Sequence, residues 1–244
     1  MTTKRKISDV ANESKIAVIS GASRGIGKAI AIRLATLDYS LFLMGRDRAE
    51  LDSVANECRR NGNAVICHAG DLEEPEYVNQ AIEVACQQLG HVDVLINNAG
   101  RSSYGTVAAA DMASWQSVMN VNFNATMVLC RYVLPSMIER KQGAIINISS
   151  LSGRHTNPGD AIYAATKHAI NGFSGCLYED VRDFGIKVST IMPGFVDTEM
   201  TASIGKRTAN MIQADDIADT VEFVLAASPN CCPTEIVIRP QQRP

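Results

Sequence analysis

Tyr163 and Lys167 lie four residues apart in the stretch AIYAATKHAI. Residues at this spacing share one face of an α-helix, so the phenol and the ammonium group would be neighbours there. Two interpretations are open at this point. The side chains could form an ordinary amphipathic edge, or they could be an acid and the charge that tunes its pKa. The rest of the chain has to decide between them.

A glycine-rich stretch, GASRGIG, follows a short apolar run near the start of the chain. Its glycines, Gly21, Gly25 and Gly27, would allow a tight turn and bring the backbone close to a pyrophosphate at the N-terminus of the next helix. The spacing is GxxxGxG and differs from the GxGxxG fingerprint of many dinucleotide sites. The stretch could be a simple turn, but its place between a first strand and a first helix favours a cofactor loop.

The end of the second apolar run indicates which nicotinamide cofactor such a loop would bind. NAD sites typically place an acid about 20 residues further on, at the ribose 2′-hydroxyl. Here MGRDR places Gly45 at that point, Arg46 follows, and Arg24 lies in the glycine loop itself. Because guanidinium groups bind phosphate with paired hydrogen bonds, we predict NADP(H) over NAD(H). The alternatives are that both arginines are solvated surface residues, or that Asp47 reaches the ribose.

The bulk composition is that of a globular protein with a sizeable core. The chain has 244 residues, 46% of them hydrophobic and 20% charged, and a net charge of −3. It has no basic stripe for nucleic acid and no apolar run of membrane-spanning length, so neither partner is expected. Its start, MTTKRKISDVANES, lacks the apolar region of a secretory signal. We predict a flexible tail over residues 1–14, a single domain over residues 15–244 and a cytoplasmic location.

Cysteine and histidine residues show no metal-ligand pattern. The seven cysteines are odd in number, scattered and without a CxxC pair, and the four histidines lack ligand spacing. Free thiols in a reducing compartment are the expectation, and no metal site is predicted.

Short apolar runs alternate with longer amphipathic runs along the chain. The runs typical of strands are KIAVIS, SLFLMG, AVICHAGD, VDVLINNAG, GAIINISS, IKVSTIMPG and TEIVIRP. Helical patterns lie between them, including long regions over about residues 115–138 and 160–184. This alternation predicts an α/β fold with a doubly wound parallel sheet, covered on both faces and binding its ligands at the carboxyl ends of the strands.

Five motifs occur in order at familiar separations: GASRGIG, NNAG, ISS, YAATK and PG. On these motifs the chain resembles the short-chain dehydrogenase/reductase family over about residues 15–227. The resemblance implies a single-domain Rossmann-type sheet of about seven strands in the order 3-2-1-4-5-6-7, with helices on both faces. It also implies a small-molecule carbonyl or alcohol substrate and assembly as a homodimer or homotetramer.

The family resemblance supplies a catalytic set of Asn122, Ser150, Tyr163 and Lys167. Ser150 stands thirteen residues before Tyr163, and its neighbour Ser149 would be structural. Asn122 matches the family pattern in VNFNA, although Ala125 replaces the usual glycine, and Asn120 and Asn124 compete for the assignment.

Each member of this set has an implied role. Tyr163 would donate the proton in reduction, and Ser150 would polarise the substrate oxygen. Lys167 would hold the nicotinamide ribose and lower the tyrosine pKa from its usual value of about 10. Asn122 would support a water that links Lys167 to solvent.

The resemblance also implies a set of cofactor-binding residues, for each of which fold maintenance is the alternative role. The set is Gly21, Ser23, Arg24, Gly25, Ile26, Gly27, Arg46, Asp71, Leu72, Asn98, Ala99, Gly100, Tyr163, Lys167, Pro193, Gly194, Val196 and Thr198. Asn97 would lie beside the ribose or the central helix, and Ile148 near the nicotinamide. The implied substrate-binding residues are Ser150, Ser152 and Tyr163.

Several segments beyond the motifs would border the substrate. Residues 199–213 are expected to form a short polar lid in which Lys206 and Arg207 meet an anionic substrate or the acids of a carrier protein, or remain solvated. The residues expected to line or approach the pocket are Arg101, Ser103, Tyr104, Arg154 and His155.

The last residues depart from one branch of the family. The ending CCPTEIVIRPQQRP lacks the glycines of fatty-acid-synthesis reductases and hints at hydroxy acids, small alcohols or specialised metabolites as substrates. The predicted activity is that of an NADP(H)-dependent carbonyl reductase or alcohol dehydrogenase. The alternatives are a non-catalytic NADP(H)-binding sensor or scaffold, and a 3-oxoacyl reductase.

Overall fold

The computed structural model describes residues 14–203 and 209–242. Within these ranges seven strands form one parallel sheet in the order β3-β2-β1-β4-β5-β6-β7. In chain order, β1 to β7 are Ile16–Ser20, Ser40–Gly45, Val65–Ala69, Val94–Asn97, Gly143–Ile148, Ile186–Pro193 and Glu235–Ile238. The sheet confirms the predicted doubly wound Rossmann-type fold.

The helices found in the described ranges lie between these strands. In chain order, α1 to α8 are Gly25–Thr36, Arg48–Cys58, Pro75–Leu89, Met112–Met119, Ala125–Arg140, Ala161–Val181, Glu199–Ser203 and Ala214–Ala226. Short 3₁₀ turns cover Arg59–Asn61, Val107–Ala109, Leu151–Gly153 and Arg182–Phe184.

The sheet is buried on both faces because its central strands are apolar at nearly every position. Every residue of β1 is buried, so consecutive side chains enter opposite apolar layers. One layer packs α1, α2 and α8 against the sheet through side chains such as Leu34 and Val221. The other packs α3, α5 and α6 through side chains such as Ile82 and Leu177.

The first long helical region contains an irregularity that the sequence did not predict. A π-helical turn, Asn120–Asn124, separates α4 from α5 and carries the buried Asn122. A π-helical turn contains one more residue than an α-helical turn, and the apolar residues on either side keep helical spacing. The sequence pattern therefore does not reveal the additional residue. The second long region is α6, which gives way to the 3₁₀ turn Arg182–Phe184.

The predicted tail and lid lie partly outside the described residues. Residues 1–13 are not among those described, whereas Ser14 hydrogen-bonds the hydroxyl of Ser40 at 2.7 Å. The lid segment begins as the helix α7, and Lys206 and Arg207 lie outside the described residues. Across the part of the chain that is described, no helix combines the length and apolar character needed to span a membrane.

Candidate active site

A cavity of about 1070 Å³ opens along the carboxyl edge of the sheet. It is lined by residues that directly follow β1 to β7, because all of these strands are parallel and end at this edge. Every residue of the predicted catalytic, cofactor-binding and substrate-binding sets lines this cavity except Gly27 and Asn122. The motifs, which are scattered through the sequence, therefore meet at one place.

The glycine loop is held tightly against the start of α1. A Cβ atom on Gly27 would overlap the carbonyl oxygen of Gly21 and lie 2.5 Å from Nδ2 of Asn98. The Asn98 amide donates to the carbonyls of Ser20 and Gly21 at 3.1 and 3.0 Å. Asn98 thus shapes the loop, and Gly27 permits the close approach of helix and loop without lining the cavity.

Two arginines at the adenosine end of the predicted site lack acidic partners. Arg24 and Arg46 are exposed, line the cavity and form no ion pair with any described residue. Asp47 caps α2 instead, where its carboxylate accepts a hydrogen bond from the Glu50 N–H at 2.9 Å. This cap engages the acid that sequence reasoning had left as a competing ribose ligand.

The remaining predicted cofactor residues form the walls between the glycine loop and β6. Asp71 uses Oδ1 to accept the Glu73 N–H at 3.0 Å, which fixes the turn after β3. Thr198 approaches the loop closely, since a Cβ on Gly25 would lie 3.2 Å from its methyl carbon. Val196 is bridged to Ile212, so the segment after β6 is anchored beside the cavity.

Tyr163 and Lys167 are presented to the cavity from the first two turns of α6. The Lys167 ammonium lies 5.6 Å from the centre of the Tyr163 ring. It donates to the carbonyl oxygen of Ile148 at 2.8 Å, and the residue is only 3% exposed. Burial lowers the pKa of Lys167 to about 8.

The predicted lowering of the Tyr163 pKa is not found in the protein alone. Burial raises the pKa of the phenol to about 12, and the negative charge of Asp160 acts in the same direction. A hydrogen bond with Ser150 acts in the opposite direction but does not outweigh burial. The pKa rises because burial, which disfavours the charged phenolate, has the largest effect on it, while the Lys167 ammonium is hydrogen-bonded to Ile148.

The serines after β5 differ in burial and in their hydrogen-bond partners. Ser149 is buried and donates to the carbonyl of Lys167 at 3.2 Å, which ties β5 to α6. The Ser150 hydroxyl faces the cavity and accepts the Ser152 N–H at 3.1 Å. The Ser152 hydroxyl in turn donates to Asp160 at 2.9 Å.

Asn122 is fully buried in the π-helical turn. Its Oδ1 accepts the Arg101 N–H at 2.9 Å, and its Nδ2 donates to the Arg101 carbonyl and the Thr166 hydroxyl, each at 3.0 Å. The competing residues Asn120 and Asn124 are half-buried and hydrogen-bond each other. Asn122 is therefore the asparagine that joins α6 to the loop after β4.

Residues expected near the pocket fall into two groups. Ile148, Arg101, Tyr104 and His155 line the cavity. Arg101 is paired with Glu73 at 2.6 Å. Ser103 and Arg154 are not part of the lining, and neither is Asn97, whose amide donates to Asn147 inside the core at 2.8 Å.

Among the lining residues that the sequence did not predict, two contributions come from outside the family motifs. Asp160 precedes α6, and residues 239–242 follow β7. The ending was considered only as a departure from a family pattern. A parallel seventh strand was itself the signal, because it delivers the residues after it to the same edge as the glycine loop.

Metal-binding and disulfide chemistry have no candidates among the described residues. They contain no group of three or more His, Cys, Asp or Glu side chains that could hold a metal ion. All seven cysteines are free.

Comparison with known proteins gives consistent matches over most of the chain. The sequence model described as short chain dehydrogenase matches residues 15–209. An uncharacterized oxidoreductase of Staphylococcus aureus (strain USA300) is 33% identical over 226 residues, which cover 93% of this chain and 97% of that protein.

Two solved structures share the fold over nearly their full length. An alcohol dehydrogenase from the archaeon Thermococcus sibiricus, complexed with 5-hydroxy-NADP, has 28% identity and a TM-score of 0.88, covering 95% of this chain and 99% of that one. A metagenomic short-chain oxidoreductase in complex with NADP has 32% identity and a TM-score of 0.84, covering 96% and 100%.

Proposed function

The chain belongs to the short-chain dehydrogenase/reductase family, and from this premise we propose that it is an NADP(H)-dependent carbonyl reductase or alcohol dehydrogenase. The observation that carries the proposal is the presence of Ser150, Tyr163 and Lys167 in the same cavity as the glycine loop. The similar structures that contain NADP or a derivative support the choice of cofactor class.

The cavity fits a nicotinamide dinucleotide on the evidence of its own residues. Gly21 adopts a φ of +66°, and Gly27 leaves no room for a Cβ, so the loop backbone is free to approach a pyrophosphate. The buried Lys167 ammonium has one described acceptor, Ile148, and so keeps hydrogen-bond donors for ribose hydroxyls. When bound, the nicotinamide would supply or accept the hydride.

Tyr163 is the group proposed to move the proton. Because its pKa lies well above neutrality, the phenol is protonated and ready to donate to a substrate oxygen in reduction. The Ser150 hydroxyl would donate a hydrogen bond to the same oxygen as negative charge develops there. Lys167, with a pKa of about 8, is mostly an ammonium at neutral pH and would stabilise the phenolate left behind.

Asn122 is proposed to support the proton supply to Lys167. Its side-chain amide uses both N–H groups and one acceptor position on Arg101 and Thr166, so it positions the π-helical turn. Its backbone carbonyl already accepts the Thr126 hydroxyl at 3.1 Å and has a second lone pair. We propose that this carbonyl is the part of Asn122 that holds a relay water.

A preference for NADP(H) over NAD(H) is supported by the charges around the adenosine end. Arg24 and Arg46 present guanidinium groups that no described acid neutralises. Asp47 is not part of the cavity lining and uses one carboxylate oxygen in its helix cap, which disfavours it as a ligand of a ribose 2′-hydroxyl. The local charge is therefore complementary to a 2′-phosphate.

Assembly and location complete the proposal. We propose a homodimer or homotetramer formed through α5 and α6, where exposed positions of α6 carry small residues such as Ala165 and Gly172 that would let another helix pack closely. Light scattering tests this, and a monomeric mass would contradict it. The free cysteines support a reducing compartment, the cytoplasm.

The proposed activity is tested by NADPH consumption with a panel of ketones, aldehydes and 3-oxo esters. Turnover of simple ketones or aldehydes is expected. Turnover confined to 3-oxo esters would favour the 3-oxoacyl reductase alternative. Tight NADPH binding without turnover of any panel member, in either direction, would contradict the enzyme and support a sensor or scaffold.

A further inference from the structure

Asp160 stands directly before α6, three residues before Tyr163, yet its side chain does not cap the helix. Aspartate at this position commonly accepts a hydrogen bond from a backbone N–H of the first turn. Here the carboxylate turns away and accepts the Ser152 hydroxyl at 2.9 Å. The side chain therefore lacks the usual capping hydrogen bond and lies in the cavity wall instead.

The carboxylate of Asp160 is buried with little compensation. The residue is 5% exposed, and no lysine, arginine or histidine among the described residues forms an ion pair with it. An ionised carboxylate offers about four acceptor positions, of which the Ser152 hydroxyl uses one. Burying such a charge without a full set of partners is costly, and groups of this kind concentrate at functional sites.

The position of Asp160 places it on the substrate side of the proposed reaction. Ser152 links it to Ser150, since the Ser152 N–H donates to the Ser150 hydroxyl at 3.1 Å while the Ser152 hydroxyl donates to Asp160. The carboxylate is thus one residue removed from the hydroxyl proposed to bind the reacting oxygen. Asp160 also lies close enough to Tyr163 for its negative charge to raise the pKa of the phenol, so it borders the place where the reacting oxygen and its neighbouring groups would lie.

We propose that Asp160 is a specificity-determining residue whose carboxylate accepts a hydrogen bond from a donor group on the carbon adjacent to the reacting carbonyl. The preferred substrates are then α-hydroxy or α-amino ketones, and the corresponding diols or amino alcohols in the reverse direction. Both groups donate hydrogen bonds, and a protonated amine adds a positive charge. The inference rests on the proposed oxidoreductase function and adds a substrate class to it.

The test compares three ketones of the same carbon skeleton: acetone, hydroxyacetone and aminoacetone. kcat/KM with NADPH is measured for the wild type and for Asp160→Asn, which keeps the shape of the side chain but removes its charge. Asp180→Asn, an exposed position near the other end of α6, is the matched control. The better of the two substituted ketones identifies the donor.

The wild type is expected to prefer a substituted ketone over acetone by at least about tenfold, as for a charge-assisted hydrogen bond. Asp160→Asn should remove most of that preference and change the value for acetone by less than about threefold. Asp180→Asn should leave all three values unchanged. An equal loss on all three ketones would indicate a structural role, and no loss would remove Asp160 from substrate recognition; both outcomes overturn the inference.

Failure of the proposed function is distinguishable from failure of this inference. If the wild type reduces none of the ketones with NADPH or NADH, the proposed activity is overturned for this substrate class. Calorimetric titration of the NADP-loaded protein with propylene glycol and isopropanol then decides the inference separately. The inference is supported if the wild type binds propylene glycol more tightly than isopropanol and Asp160→Asn does not. Equal binding of the two alcohols by the wild type would overturn it.

Discussion

The ammonium nitrogen of Lys167 lies 5.6 Å from the centre of the Tyr163 ring, with its hydrogen bond directed to the backbone of Ile148. Burial acts on the two groups in opposite directions, raising the pKa of the phenol to about 12 and lowering that of the ammonium to about 8. Near neutral pH the pair is therefore a protonated phenol beside a cation. This is the protonation state that carbonyl reduction requires.

Tyr163→Phe is expected to lower kcat by about 10²–10⁴-fold, because the change removes the proposed proton donor. NADPH affinity, measured by fluorescence titration, should change by less than about threefold. Tyr178→Phe, on the same helix but outside the cavity lining, is the control and should keep full activity. Substantial turnover by Tyr163→Phe would refute the proposed proton route.

NADPH binding is expected to weaken as the pH rises through about 8, where Lys167 loses its proton. Affinity falls as the pH rises because the ammonium form has more hydrogen-bond donors than the amine and a positive charge that attracts an anionic cofactor. The loss occurs near pH 8 because burial lowers the pKa of Lys167 from its usual value of 10.5. Measurements above about pH 7 keep a 2′-phosphate, with a second pKa of about 6, essentially fully ionised.

The Lys167 prediction has a matched pair of variants. Lys167→Met should bind NADPH more weakly, and its dissociation constant should no longer rise near pH 8. Lys141→Met, at an exposed lysine, should follow the wild-type profile. A wild-type dissociation constant that stays level across pH 8 would show that Lys167 does not bind the cofactor through its charge.

The sheet could be predicted from the sequence because its strands are continuous apolar runs separated by helical patterns. The residues after β1 and β5 could also be placed at one edge of the sheet, because parallel strands have their carboxyl ends at the same edge. The π-helical turn at Asn120–Asn124 could not, because one additional residue in a helical turn leaves no composition signal.

Two properties of the site depend on tertiary packing, which the spacing of residues in the sequence does not reveal. The direction of the Tyr163 pKa shift follows from how much water the folded chain removes from the phenol. The entry of Asp160 into the cavity depends on its turning toward Ser152, although its sequence position is typical of a helix cap.

Asn122→Ala is expected to lower the free energy of unfolding by about 2–4 kcal/mol, because it leaves the backbone groups of Arg101 without their partner and removes one of the two hydrogen bonds of the Thr166 hydroxyl. Asn124→Ala, which removes one half-buried hydrogen bond to Asn120, should cost less than about 1 kcal/mol. Denaturant unfolding measures both. Equal losses would mean that Asn122 has no special place in the π-helical turn.

Gly27→Ala is expected to lower the free energy of unfolding by about 1–3 kcal/mol, because the added carbon overlaps the Gly21 carbonyl and forces loop and helix apart. NADPH binding should weaken at least about tenfold as the loop shifts. Lys28→Ala, one residue further, removes only an exposed ion pair with Glu57 and should cost less than about 1 kcal/mol. Wild-type NADPH affinity in Gly27→Ala would show that the tight loop is not needed for the cofactor.

Arg46→Ala is expected to lower kcat/KM for NADPH by about 10–100-fold and to change the value for NADH by less than about threefold. The difference follows because a charge-assisted contact to the 2′-phosphate is lost, and NADH has no such group. Arg48→Ala is the matched control: Arg48 lies two residues further, pairs with Asp52 at 2.9 Å and is not part of the cavity lining. It should leave the ratio of the two cofactors unchanged. Equal loss with NADPH and NADH in Arg46→Ala, or wild-type use of NADH as efficient as that of NADPH, would reject the role of the arginines in cofactor choice.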